Sequence, residues 1–172
     1  MNAISLREAR AAELDAVGAI MAAAYAEFMP PTRPPELRGY EDEIRDVRRR
    51  IDTSTLIIAS FDGRIVGAVT YYPDSTKEAN TPWPASWAVF RLLAVLPEAR
   101  GRGVGRLLTE ECIRRARAAR REAVGLHTTH LMNVARAMYE RMGFVRVPEL
   151  DFFPMPTLRV MAYRLTLSPQ RA

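Results

Sequence analysis

The sequence predicts one mixed α/β domain, a mixed sheet with helices on both faces, from three observations. An apolar run, Ala88 to Val95, has the length and composition of a buried strand and feeds a glycine-punctuated turn, then an amphipathic helix. Two β-rich runs, Thr55 to Phe61 and Arg64 to Tyr72, are joined by Asp62-Gly63, the two-residue turn that favours positive φ. The remaining periodic segments complete the order β-α-α-β-β-β-α-β-α-β-β.

Residues 3 to 9 read as a short first strand. Leu14, Val17, Ile20, Met21, Ala24 and Tyr25 sit at helical spacing, which places a first helix at roughly 12 to 27. Pro-Pro-Thr-Arg-Pro-Pro at 30 to 35 breaks regular structure. A second helix is marked by Leu37, Tyr40, Ile44, Val47 and Ile51, with Glu41, Asp42, Glu43, Arg45, Asp46 and Arg48 facing solvent. After the hairpin, Pro73 to Trp87 reads as a long loop with two exposed-looking tryptophans, Trp83 and Trp87, either functional or a lid packed down by them. Past the central strand, Val104, Leu107, Leu108, Cys112, Ala116 and Ala119 form the apolar stripe of the third helix. Ala123 to Thr129 reads as a fifth strand, and a helix begins at Asn133, whose side chain suits an N-cap. Gly143 ends that helix, and Phe144 to Val147 starts another strand. Leu150 to Pro156 reads as an aromatic, proline-rich loop, Leu158 to Leu167 as a last strand, and 168 to 172 as a frayed tail.

A chain of 172 residues is one domain, large enough for a core. No apolar stretch reaches the ~18 residues of a membrane span, and MNAISLREAR lacks the apolar region of a signal peptide, so the expected compartment is the cytoplasm. Cys112, the single cysteine, excludes a disulfide framework, and no Cys/His set has metal-ligand spacing. Its place on an apolar stripe argues for packing. The net charge of +5 is carried almost wholly by arginine, Lys77 being the single lysine. These arginines lie beside carboxylates with no interleaved aromatics, so a polyanionic small ligand explains them better than nucleic acid.

The turn Arg100-Gly101-Arg102-Gly103-Val104-Gly105, ahead of the third helix, is suited to phosphate. Backbone N–H groups converge there, the helix dipole is positive, and glycine lets a ligand approach the backbone. The alternative is a plain solvated connection. The turn lacks the Lys-Ser/Thr pair of a nucleoside-triphosphate loop and the full spacing of a dinucleotide fold. It fits Arg/Gln-x-x-Gly-x-Gly/Ala, with Arg100, Gly103 and Gly105 in the fixed positions. Here the chain resembles the GNAT superfamily of acetyl-CoA-dependent N-acetyltransferases. A second match is Ala135-x-x-x-Tyr139-x-x-x-Gly143-Phe144, and the element order agrees over nearly the whole chain.

The resemblance implies a GNAT-like, mostly antiparallel sheet of about seven strands flanked by four helices, with the fourth and fifth strands splayed at a bulge around acetyl-CoA. It implies that Leu93, Ala94 and Val95 pair with pantetheine, and that the N–H of Leu93 or Ala94 stabilises the oxyanion. Residues Arg100, Gly101, Arg102, Gly103, Val104, Gly105 and Arg106 would wrap the pyrophosphate. Asn133 stands one residue from the family's usual Asn, at the position of Met132, and would contact the cofactor or merely cap its helix. Tyr139 would protonate the coenzyme A thiolate, since a phenol of pKa about 10 carries its proton at neutral pH. The alternative for Tyr139 is packing.

Many relatives carry a glutamate base on the central strand, but here that strand offers only Arg91. The base is then His127, on the fifth strand, or the amine loses its proton to water. Glu27, Glu43, Asp46 and Asp151 are carboxylates that could meet a cationic amine. The family's acceptor pocket maps onto Tyr25, Phe28, Tyr40, Tyr71, Trp83, Phe152 and Phe153, which suggests a partly apolar small molecule or peptide N-terminus. The implied activity is acetyl transfer to a primary amine by direct attack, with a homodimer possible. The rival is a non-catalytic acyl-CoA-binding or regulatory module on the same fold.

Overall fold

The computed structural model describes residues 3–29 and 35–167. Its strands are β1 (Ser5–Glu8), β2 (Thr55–Phe61), β3 (Arg64–Tyr72), β4 (Trp87–Val95), β5 (Ala123–Thr129), β6 (Val145–Arg146), β7 (Phe152–Met155) and β8 (Leu158–Thr166). Its α-helices are α1 (Leu14–Tyr25), α2 (Pro35–Arg45), α3 (Val104–Ala118) and α4 (Asn133–Arg141). The strand order is β1-β2-β3-β4-β5-β8-β6, with β7 on β8. The β4–β5 pairing is parallel, and the β1–β2, β2–β3, β5–β8, β6–β8 and β7–β8 pairings are antiparallel. Among the described residues the expected mixed, mostly antiparallel sheet with four helices is present, with eight strands rather than about seven. The chain forms two compact units, Met1–Tyr71 with Leu92–Thr109 and Tyr72–Arg91 with Glu110–Ala172. The division falls inside β4, between Arg91 and Leu92, and inside α3.

In the first unit, the hairpin turn has Asp62 at φ 51° and Gly63 at φ 74°, the twist that matches right-handed strands. Val17, Met21, Ile44, Val47, Ile57, Ile58 and Val69 are fully buried. Helices α1 and α2 meet backbone to backbone, since a Cβ on Gly18 would stand 2.0 Å from the Arg45 carbonyl oxygen. The first helical segment is α1 with a 3-10 turn on each side, Ala11–Glu13 and Ala26–Phe28. The second helix ends earlier than its apolar stripe suggests, because Asp46 takes ψ 76° and Val47–Arg50 form a 3-10 turn. Arg50 is the cause. Its buried guanidinium donates to the carbonyls of Glu43, Ile44 (3.0 Å) and Asp46 (3.2 Å), satisfying the acceptors that the end of α2 leaves open.

In the second unit, β5 pairs with β8 from Ala123↔Thr166 to Thr129↔Val160. Tyr72, Trp83, Trp87, Val89, Ala123, Val147 and Ala162 form a core cluster, with Leu150 packed against it. Both tryptophans are therefore buried, at 6% and 7% exposure, and the exposed appearance of their loop in sequence is corrected. Trp83 lies where a Cβ on Gly125 would sit 2.8 Å from its ring, so that glycine makes room for the indole. The proline-rich stretch at 150 to 156 contains a strand, β7, joined to β8 through Phe152↔Val160 and Met155↔Leu158. The tail at 168 to 172 and residues 30 to 34 lie outside the described residues.

Candidate active site

The glycine turn is built in the first unit by what precedes it. A 3-10 turn, Pro97–Ala99, ends β4, and Gly101 and Gly103 then take φ 73° and 80°. An L side chain is strained at both, and a Cβ at either would meet nothing within 4 Å. The first intrahelical bond of α3 runs from the Leu107 N–H to the Gly103 carbonyl at 3.0 Å, so the N–H groups of Val104 and Gly105 have no carbonyl partner within the helix. Gly67 permits the whole arrangement. A Cβ there would lie 2.8 Å from the Ala94 carbonyl oxygen and 3.0 Å from Val104.

Neither arginine of the turn stands free in space. The Arg100 side chain pairs with Glu27 and donates to the carbonyls of Val95 (3.2 Å) and Ala24 (3.4 Å). The Arg102 guanidinium lies 5.2 Å from the Phe61 ring centroid.

The central strand departs from regular β geometry at Leu92. Leu92 has φ 54°, a left-handed backbone in a buried leucine, which costs of order 1–2 kcal/mol and persists only where surroundings enforce it. The parallel ladder of β4 with β5 runs from Trp87↔Ala123 to Phe90↔Leu126, two residues short of this point. Leu93, Ala94 and Val95 follow it. Sequence could not reveal this departure, since leucine is an ordinary strand residue.

In the second unit, Tyr139 is buried at 4% exposure. Its ring packs 5.9 Å from Phe90 and 5.7 Å from Phe144, centroid to centroid. Burial, with Cys112 adding to it, pushes the phenol above its ordinary pKa, so Tyr139 is protonated at neutral pH. Cys112 is fully buried, and burial likewise raises its pKa. A protonated, enclosed thiol is no nucleophile. Asn133 is the first residue of α4, and Met132 rather than Asn133 occupies the N-cap. The Asn133 Oδ1 accepts from the Arg136 Nη2 at 3.1 Å.

His127 is wedged between Trp83 (4.6 Å) and Phe152 (5.1 Å), and its Nε2 donates to the Leu150 carbonyl at 3.1 Å. Burial lowers its pKa to about 4, the Leu150 bond opposing and the Arg91 charge adding. It is neutral near pH 7, with Nδ1 as its one acceptor, and such a group is a weak base.

The loop before the central strand holds a buried carboxylate, Glu78, that pairs with Arg91 of that strand. Glu78 is 2% exposed; its Oε2 accepts from the Trp83 indole at 2.9 Å and its Oε1 from the Asn80 N–H at 3.1 Å, with Arg91 3.2 Å away. A buried Glu-Arg pair linking residues thirteen apart left no sequence signal beyond the charges themselves. Asp151 is occupied too. Burial opposes its ionisation, but the Ala162 N–H (2.8 Å), Arg159 (2.7 Å) and Arg146 (2.6 Å) hold its pKa below the usual range. Asp46 pairs with Arg49 at 2.7 Å. Of the aromatic acceptor candidates, Tyr25 and Phe28 meet edge to face at 6.3 Å, while Trp83 and Phe152 share His127. Tyr71 is buried, Tyr40 half-buried, and Phe153 is 61% exposed.

Comparison with known proteins agrees with this geometry. The model of the acetyltransferase (GNAT) family matches residues 21–144. The chain belongs to that family and is an acetyl-CoA-dependent acyltransferase. No curated protein matches it. Among solved structures it is similar to a GCN5-related N-acetyltransferase from Kribbella flavida, at 26% identity over 96% of this chain and 98% of that one, with TM-score 0.68. A ribosomal-protein-alanine N-acetyltransferase from Brucella melitensis shares 22% identity over 95% and 99% of the two chains, at TM-score 0.67. A putative acetyltransferase from Salmonella typhimurium, solved with acetyl-CoA, shares 14% over 99% and 98%, at 0.70. The glycine turn fits that cofactor, because the space where a Cβ of Gly101 or Gly103 would stand is open to an approaching phosphate. Among the described residues no helix is long and apolar enough to cross a membrane, and no group of His, Cys, Asp or Glu could hold a metal.

Proposed function

We propose that this protein, as one GNAT domain over residues 1–172, moves an acetyl group from acetyl-CoA to a primary amine of a partly apolar small molecule or peptide. The observation that carries the cofactor side is the turn at 100–105, with positive φ at Gly101 and Gly103, directly ahead of α3. The N–H groups of Gly101 to Arg106 take the pyrophosphate, Leu93, Ala94 and Val95 pair with pantetheine, and Asn133 contributes a further contact. The N–H of Leu93 or Ala94 stabilises the oxyanion as the amine adds to the thioester carbonyl. When the C–S bond breaks, the Tyr139 phenol gives its proton to the thiolate and regains one from water. The proton is in place when the thiolate forms, because the Tyr139 phenol is protonated at neutral pH.

Transfer is by direct attack, and the amine loses its proton to water. Support comes from the occupied state of the other groups: Cys112 is enclosed, Glu78 and Asp151 are held by arginines, and His127 has a pKa of about 4. The aromatic residues Tyr25, Phe28, Tyr40, Tyr71, Trp83 and Phe152 favour an acceptor with an apolar portion. Two fold neighbours, the ribosomal-protein-alanine enzyme and a putative phosphinothricin N-acetyltransferase, indicate by name that this fold serves peptide and small-molecule amines alike. The test is release of coenzyme A thiol from acetyl-CoA across a panel of amines, peptides and aminoglycosides. Partly apolar amines should be the best acceptors. Preference for highly polar aminoglycosides would overturn the acceptor class, and tight binding without turnover would indicate a binding module.

A further inference from the structure

We infer that Arg100 is a positioning residue of the glycine turn and not a ligand of the phosphate, with Glu27 as its working partner. The inference rests on the cofactor reading above. All three guanidinium nitrogens of Arg100 are engaged on the protein. Nε donates to the Val95 carbonyl at the end of β4, Nη2 to the Ala24 carbonyl near the end of α1, and Nη1 pairs with Glu27 in the adjoining 3-10 turn. The side chain therefore ties the start of the turn to two elements at once. Its charge is balanced by Glu27, so it offers little field to an incoming anion.

The Arg102 side chain behaves alike, lying over Phe61 at the tip of the β2–β3 hairpin. Both cations of the turn act as struts, and the pyrophosphate is left to backbone N–H groups and the helix dipole. A strut and a ligand predict opposite signs for one substitution. If Arg100 were held in reserve for phosphate, removing Glu27 would release it and tighten acetyl-CoA binding. If Arg100 positions the turn, removing Glu27 loosens the strut and weakens binding.

The experiment is calorimetric titration of acetyl-CoA into wild type, Glu27→Gln, Arg100→Gln and the double variant, at low and high salt, with thermal melts as a folding check. Binding by wild type tests the cofactor reading first, and its failure would sink that reading alone. Given wild-type binding, Glu27→Gln should weaken affinity about two- to fivefold, the range of an exposed ion pair. Arg100→Gln should weaken it by a similar factor, and the double variant should be no worse than the worse single one. The salt dependence of all three should parallel wild type, because no direct charge contact with the ligand is lost. Tighter or unchanged binding in Glu27→Gln, or a flattened salt dependence in Arg100→Gln, would overturn the inference.

Discussion

Replacing Gly103 with alanine separates what the turn does for folding from what it does for acetyl-CoA. Gly103 sits at φ 80°, and nothing stands within 4 Å of the position its Cβ would take. The stability cost is therefore backbone strain alone, about 1 kcal/mol. That lowers the melting temperature by roughly 2–4 °C in a protein of this size. Gly63, in the hairpin turn, has φ 74° and equally open surroundings, so Gly63→Ala should cost the same. The two variants part company on the ligand. At 103 the new methyl stands in the turn proposed to hold the pyrophosphate, and acetyl-CoA affinity should fall about tenfold or more, equivalent to about 1.4 kcal/mol. At 63 it should not change. Paired thermal melts and acetyl-CoA titrations measure both. Equal melting shifts with equal affinities would refute the claim that this turn holds the pyrophosphate.

Three further outcomes follow from the packing. Gly18→Ala would set a methyl 2.0 Å from the Arg45 carbonyl oxygen, so α1 and α2 must separate; chemical denaturation should show a loss of about 3 kcal/mol or more. Arg50→Met would remove the donor to three carbonyls at the end of α2 and strand buried acceptors, costing about 2–3 kcal/mol by the same assay. His127 has a pKa of about 4 in the folded state against about 6.5 unfolded, so the unfolded chain binds more protons between those values and stability rises with pH across that window. Denaturation at stepped pH should show up to about 3 kcal/mol lost on acidification, and His127→Gln should flatten that part of the slope.

Much of the fold was legible because its signals are local. Asp62-Gly63 marks the hairpin at its observed ends, and the stretch Ala123 to Thr129, read as a fifth strand, is β5 to the residue. The glycine turn was legible for the same reason, since positive φ at Gly101 and Gly103 leaves few other residues possible. What escaped is set by contacts distant in sequence. Arg50 follows Arg48 and Arg49 and reads as part of a solvated basic stretch, yet the open carbonyls of α2 draw it inside and stop the helix. The tryptophan loop looked exposed because the chain alone does not reveal Gly125, which makes room for Trp83, or Glu78, which takes its indole N–H. Pro154 and Pro156 made 150 to 156 resemble a loop, although a short irregular strand tolerates proline. Of the candidate site residues, the turn could be read from spacing. The engagement of Arg100 by Glu27, and the loss of basicity at His127, depend on burial and partners that spacing does not encode.

Whether Tyr139 is the acid of an acetyl-transfer reaction is tested by Tyr139→Phe, assayed with the best amine from the acceptor panel alongside acetyl-CoA titration. Removing one hydroxyl from a ring packed between Phe90 and Phe144 keeps the packing and deletes the proton. With Tyr139 as the acid, kcat should fall about tenfold or more, with acetyl-CoA affinity within about twofold of wild type. Undiminished turnover in a well-folded variant would contradict that role.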